Sequence, residues 1–256
     1  MKNTAVITGA TSGIGLATAL LLTSKGYKVY GIARKPYAGG AFKCYSSDVC
    51  DYAEIDGILR EINDNEGGID VLVNCAGFGI AGATEDCTPE SVRRMSDVNF
   101  TAVCVLCGKA VKYMKERGGR IINVSSVGGI VPLPYQSVYS AVKSATEVFS
   151  RALAGEVKEY GIKVTAILPG DTKTGFTDAR IFEGDNPRAV RSVNKMARDE
   201  RNGVPPEKTA KVIYSVLKRK NPPPRKAVGF VSKLEIFLAR VLPARTVDFI
   251  VRKIYG

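Results

Sequence analysis

The stretch Thr4-Ala5-Val6-Ile7-Thr8-Gly9-Ala10-Thr11-Ser12-Gly13-Ile14-Gly15 decides the architecture, because an apolar run, a glycine-rich turn and the opening of a helix follow one another without interruption. Glycines let the backbone turn tightly and let the amides of a helix N-terminus approach a bound group, while the helix dipole favours an anion there. A corner of this kind, placed straight after a strand, is where a parallel α/β sheet holds a pyrophosphate. The backbone of Gly9, Thr11, Ser12, Gly13, Ile14 and Gly15 is therefore expected to cradle a dinucleotide.

Outward from this corner, short β-branched runs alternate with segments of helical period. The pattern predicts strands near 4–8, 28–32, 42–45, 69–73, 120–124 and 162–168, and helices near 14–25, 51–65, 90–116, 137–160 and 206–219. Runs such as Val71-Leu72-Val73 and Ile121-Ile122 are apolar on successive residues, as strands are when helices cover both sheet faces. The fold class expected is α/β, a doubly wound parallel sheet of the Rossmann type in one domain. That domain is placed at 1–229, with a C-terminal helical extension at 230–256. Within it, 170–206 loosens around Gly175, Gly184, Pro187, Gly203 and Pro205-Pro206, and reads as a mobile substrate-site segment with only short helical pieces.

Composition bounds the function. At 45% hydrophobic and 24% charged residues the chain is that of an ordinary soluble protein, neither disordered nor a membrane bundle. No apolar segment precedes the first strand, so a cytoplasmic location is expected. There is no histidine, which excludes histidine catalysis. Cys104-x-x-Cys107 lacks a second pair, so no metal site is expected. The six cysteines read as thiols of a reducing compartment. The net charge of +12 is uneven: from Gly170 onward 19 Lys and Arg face 9 Asp and Glu, a net of +10. No helix-turn-helix, zinc-finger or aromatic RNA-binding signature accompanies it, so no nucleic acid is expected as partner.

Tyr139 and Lys143 stand four apart on a predicted helix and so share one face. A neighbouring ammonium favours the phenolate, which would bring Tyr139 toward neutral pH as an acid or base. Ser126 ends the strand before that helix, where its hydroxyl would hold a substrate oxygen beside the phenol, with Ser125 as the adjacent competitor.

The turn spacing Thr8-Gly9-x-x-x-Gly13-x-Gly15 resembles that of the short-chain dehydrogenase/reductase family, and further motifs agree over residues 4 to 175. Asn74-Cys75-Ala76-Gly77 resembles the family's Asn-Asn-Ala-Gly, with Cys75 as a departure. Asp48-Val49 lies where the family contacts adenine, and Pro169-Gly170 with Thr174 matches its nicotinamide-side motif. The resemblance implies a catalytic tetrad of Asn99, Ser126, Tyr139 and Lys143. It also implies cofactor contacts at Asp48, Val49, Asn74, Ala76, Gly77, Tyr139, Lys143, Pro169, Gly170 and Thr174. Family members pair the helices near 90–116 and 137–160 between subunits, which implies a homodimer or homotetramer.

After the second strand, Ala33 leaves no acid to accept a ribose 2′-hydroxyl, and Arg34 follows with a charge suited to a 2′-phosphate. Ser12 would add a hydroxyl to the same phosphate. NADP(H) is therefore expected in preference to NAD(H). Phe78 to Glu85 and Val127 to Pro134 resemble substrate loops of hydroxysteroid and retinol dehydrogenase-like members, which implies apolar walls and a bulky lipophilic substrate: steroid, retinoid or acyl-lipid ketone. A non-catalytic NADP(H)-binding sensor is the alternative, which retention of Ser126, Tyr139 and Lys143 disfavours. In the tail, Val231, Leu234, Phe237, Leu238, Val241 and Leu242 recur at helical spacing, as do Val247, Phe249, Ile250, Val251 and Ile254. Two readings stand: helices packed over the cleft or a subunit interface, and peripheral contact with an anionic membrane.

Overall fold

The computed structural model describes residues 3–256. Its first strand, β1 (Thr4–Thr8), is buried at every position, as a strand is when both faces of its sheet are covered. Then come α1 (Gly13–Ser24), β2 (Lys28–Ala33), β3 (Lys43–Ser46), α2 (Tyr52–Glu66), β4 (Val71–Asn74) and a short β5 (Ile80–Gly82). α3 (Pro89–Ser96), a π-helical turn Asp97–Thr101 and α4 (Ala102–Met114) lead to β6 (Gly119–Val124), α5 (Ser137–Glu156) and β7 (Ile162–Leu168). The rest holds β8 (Ile181–Glu183), α6 (Pro187–Arg201), α7 (Pro206–Leu217), β9 (Arg225–Ala227), α8 (Phe230–Val241) and α9 (Ala244–Tyr255).

Seven strands form one parallel sheet in the order β3-β2-β1-β4-β6-β7-β9. Successive residues serve opposite faces. Ala5 and Ile7 join Leu22 of α1 and Ile213 and Val216 of α7 on one side. Val6 joins Leu59 of α2 and Leu106 and Met114 of α4 on the other. Each such buried aliphatic side chain is worth about 1.5–3 kcal/mol, so a one-residue slip of β1 would move two well-filled layers at once. Strand order reverses at β1, with β2 on one side and β4 on the other, and their carboxyl ends open into a crevice.

Two expectations are corrected. The helix expected over 90–116 is three pieces, because the Asn99 side chain intrudes on the hydrogen-bond ladder. Its Nδ2 donates to the Met95 carbonyl at 3.2 Å, the acceptor that the Asn99 backbone amide would use in an uninterrupted helix, and to the Phe78 carbonyl at 2.9 Å. The segment 170–206 holds more than short helical pieces. It contains the fifteen-residue α6, capped by Asn186, whose side chain accepts from the Arg188 and Ala189 amides. It also contains β8, which pairs in parallel with β5. α6 buries only Ala189, Ser192, Val193 and Met196, a stripe too narrow and too polar to stand out among its many charges.

Candidate active site

The turn after β1 is built by contacts that admit only glycine. Gly9 has φ +65°, and a side chain there would meet the Ala76 amide nitrogen and Cα at 3.0 Å. A side chain on Gly15 would collide with the Gly9 carbonyl. The Thr8 hydroxyl accepts from the Cys75 and Ala76 amides, both at 3.1 Å, and so ties the turn after β1 to the loop after β4. Ser12 at the start of α1 makes no capping bond with its side chain, and the first turn carries no acid. The helix N-terminus thus faces the crevice with amides available to an anion, which fits the pyrophosphate of a dinucleotide.

The crevice widens into a cleft of about 870 Å³. Gly9, Thr11, Ser12, Gly13, Ile14 and Gly15 floor one end, with Arg34, Asp48 and Val49 beside them. Ala76, Gly77, Pro169, Gly170 and Thr174 line its middle, where a side chain on Gly13 would press on Thr174 at 3.3 Å. Asn74 is the exception among the expected cofactor contacts. Its side chain lies behind the cleft, where Nδ2 donates to Asn123 Oδ1 at 2.8 Å, and Asn123 in turn donates to Ser150 Oγ at 2.9 Å. Asn74 therefore ties β4 to β6 and α5 instead of lining the cleft.

The catalytic candidates converge on the far side of Gly77. Tyr139 stacks at a tilt on Phe176, centroids 5.8 Å apart, with the Ser126 hydroxyl close enough to favour its phenolate. Ser126 Oγ accepts from the Gly128 amide at 3.1 Å. Ser125, which also borders the cleft, donates to the Lys143 carbonyl at 2.7 Å. Lys143 Nζ donates to the Val124 carbonyl at 3.1 Å and lies 5.8 Å from the Tyr139 ring centre. Asn99 does not line the cleft. It is fully buried behind Gly77, its carbonyl accepting from Thr146 Oγ1 at 3.1 Å and its Oδ1 without a partner among the described residues. A side chain on Gly77 would strike Asn99 Oδ1 and come within 3.6 Å of Lys143 Nζ, so Gly77 keeps open the space between them.

Burial, more than charge pairing, sets the protonation of this group. It pushes the Tyr139 phenol up to about 12, the Ser126 hydrogen bond and the Arg180 charge pulling down and the Glu200 charge pulling up. It brings the Lys143 ammonium down to about 8. The expected lowering of Tyr139 by Lys143 is not found, since both groups sit in a dry site that disfavours either charge.

The substrate side contains groups that sequence motifs did not signal. Asp171, Glu200 and Glu235 line it, and burial with the neighbouring carboxylates raises Asp171 to about 6. Glu200 is held by Thr177 Oγ1 at 2.6 Å and by an ion pair with Arg180. Only Asp171 had a cue, its place just after β7 and Pro169-Gly170. The others come from α6 and α8, far along the chain. Leu238, Leu242, Val247, Ile250 and Ile254 form the outer wall, so the tail helices do pack over the cleft.

A family model described as short chain dehydrogenase matches residues 3–183. The chain is 42% identical to a 3-ketodihydrosphingosine reductase of Bacteroides thetaiotaomicron over 88% of this chain and 87% of that one. Among solved structures, a short-chain dehydrogenase from Streptomyces avermitilis superposes with a TM-score of 0.85 at 29% identity, covering 98% of this chain and 94% of its own. A 3-ketoacyl-(acyl-carrier-protein) reductase from Brucella melitensis complexed with NADH does so with a TM-score of 0.75 at 25% identity, covering 88% and 95%.

Proposed function

The chain belongs to the short chain dehydrogenase family, and from that premise we propose that it is an NADP(H)-dependent oxidoreductase acting on a bulky, lipophilic ketone or the matching secondary alcohol. The observation that carries the reading is the convergence of Ser126, Tyr139 and Lys143 on the cleft whose other end is the glycine turn. A nicotinamide bound there supplies the hydride. The Ser126 hydroxyl holds the substrate oxygen, and Tyr139, with a phenol that stays protonated far above neutral pH, delivers its proton to that oxygen. Lys143, charged below about pH 8, balances the developing phenolate. A sensor would have no use for this trio.

A neighbour with this frame is complexed with NADH, so a preference for NADP(H) rests on this chain's own residues. Arg34 and Ser12 both border the adenosine end of the cleft, Ala33 offers no acid, and no salt bridge engages Arg34 among the described residues. That arrangement suits a 2′-phosphate. Apolar walls from the tail and from Val131 and Leu133 suit a lipophilic chain. The carboxylates Asp171, Glu200 and Glu235 suit a substrate bearing positive charge near its carbonyl. The 3-ketodihydrosphingosine for which the Bacteroides relative is named is the first ketone to try. The 170–206 segment would serve as the movable cover, and Val148, 57% exposed on α5, would meet a second subunit.

A panel of long-chain ketones, with and without an adjacent amino group, followed by NADPH absorbance tests the proposal. Turnover of a lipophilic ketone with NADPH favoured over NADH is expected. Tight NADPH binding with no turnover across the panel would return the protein to the sensor class.

A further inference from the structure

α8 turns its apolar stripe outward. Phe230, Val231, Leu234, Phe237 and Val241 lie along one helical face and are all exposed, Phe230 to 78% and Phe237 to 58%. The helix buries Ser232 and Ile236 instead. Single exposed apolar side chains are common, but a contiguous stripe on a surface marks something that covers it. α9 extends the patch with Phe249, Ile250 and Ile254. Ile250 and Ile254, with Leu238 of α8, also line the cleft, so the patch runs without a break into the cleft mouth.

Positive charge accompanies the patch. Lys233, Arg240, Arg245, Arg252 and Lys253 stand in this segment against Glu235 and Asp248, and Glu235 faces the cleft. The Arg252 guanidinium lies 6.0 Å and the Lys253 ammonium 5.7 Å from the centre of the Phe249 ring. We propose that α8 and α9 dock the protein on the surface of an anionic lipid bilayer, their apolar side chains entering the headgroup boundary with the cleft mouth turned toward the membrane. Each helix has twelve residues, well short of the roughly 20 that a crossing needs, so the contact is interfacial. A second copy of the chain is the poorer occupant, because a two-fold contact would set the same cations against each other. Docking deepens the lipophilic-substrate reading but is measured without turnover.

Full-length protein is sedimented with phosphatidylcholine vesicles with and without phosphatidylglycerol, at low and high salt. Retention at least ~10-fold greater on the anionic vesicles is expected from the clustered cations, falling several-fold as salt shortens the Debye length from about 10 to about 3 Å. Val231→Asp with Phe237→Asp should abolish retention while leaving turnover of a small water-soluble ketone unchanged, since neither residue lines the cleft. Arg240→Gln with Lys253→Gln, which spares the apolar face, should lower retention on anionic vesicles alone. Protein left wholly in the supernatant at low salt overturns the proposal, as does equal retention on both vesicle types. A dimer in sedimentation velocity that Phe237→Asp disperses, without vesicle retention, would assign the face to a second copy. Retention of a protein that reduces no ketone would sustain docking and refute the catalytic reading.

Discussion

Replacing Lys143 by Met should make the protein more stable at neutral pH while removing its turnover. The ammonium is 6% exposed, donates to the Val124 carbonyl, and forms no salt bridge among the described residues. Burial lowers it from an ordinary 10.5 to about 8. At about 1.4 kcal/mol per pH unit, that gap corresponds to roughly 3 kcal/mol by which the folded state is disfavoured when the group is charged. The unfolded lysine keeps its proton up to about 10.5 and the folded one only up to about 8, so between these values the unfolded state binds more protons and stability climbs with pH. Below pH 8 the deficit is complete. Above 10.5 it is gone. Met fills similar space without the charge but forfeits the bond to Val124, worth about 1 kcal/mol. The net gain near pH 7 is about 2 kcal/mol, or ~4–8 °C in Tm for a chain of this size. Thermal unfolding by circular dichroism, without added nucleotide, should show that gain near pH 7 and its shrinkage near pH 9.5, before Tyr139 ionises in the unfolded chain. A variant less stable than the parent at pH 7, or a margin equal at both pH values, would refute the reasoning.

Tyr139→Phe keeps the ring against Phe176 and loses only the proton donor, so turnover should fall ~10²–10⁴-fold with NADPH affinity by fluorescence titration nearly unchanged; near-parental turnover would remove Tyr139 from the catalytic role. Ala33→Asp with Arg34→Ala should reverse the charge complementarity at the ribose and shift the ratio of kcat/KM values toward NADH; a ratio that does not move would dismiss Arg34 as selector. Only ionised Asp171 attracts a cation, and its carboxyl gains a proton as pH falls through about 6. KM for an amino ketone should therefore rise below that pH, Asp171→Asn should flatten the rise, and a neutral ketone should show none. An unchanged profile in Asp171→Asn would move the pH dependence to another group.

What the sequence disclosed was local. β1 and its glycine turn, the apolar runs of β4 and β6, and the four-residue spacing of Tyr139 and Lys143 are each written in contiguous residues, and the structure places them as expected. Periodicity did not show the π-helical turn at Asn99, which depends on a side chain reaching the Phe78 carbonyl twenty-one residues away; only the family resemblance implied a kink there. The place of the Asn74 side chain was hidden for a similar reason: its partner Asn123 on β6 draws it into the core. Beyond the position of Asp171 after β7, the acidic substrate side was hidden, because Asp171, Glu200 and Glu235 share no motif and meet only when α6 and α8 have packed. The direction of the α8 stripe was equally hidden. Periodicity shows that a helix has an apolar face, but only Ser232 and Ile236, buried on the other side, show that this one looks outward.

The pairing of β5 with β8 has a consequence for how the molecule comes into being. It joins Ile80 to Ile181 and so closes a loop of about a hundred residues, whereas β1 and β2 are linked through the single crossover of α1. Loop closure of this length adds little to the equilibrium cost but delays the event. On the ribosome the glycine turn, β2 and β4 can assemble while the partner of β5 is still unmade. The nucleotide end of the cleft is thus an early product of synthesis and the substrate end a late one. Until β8 and the tail emerge, Phe78 and Ile80 have only Met95, Val138 and Tyr139 to pack against, so the nascent chain of this intermediate length exposes apolar surface that the finished chain covers.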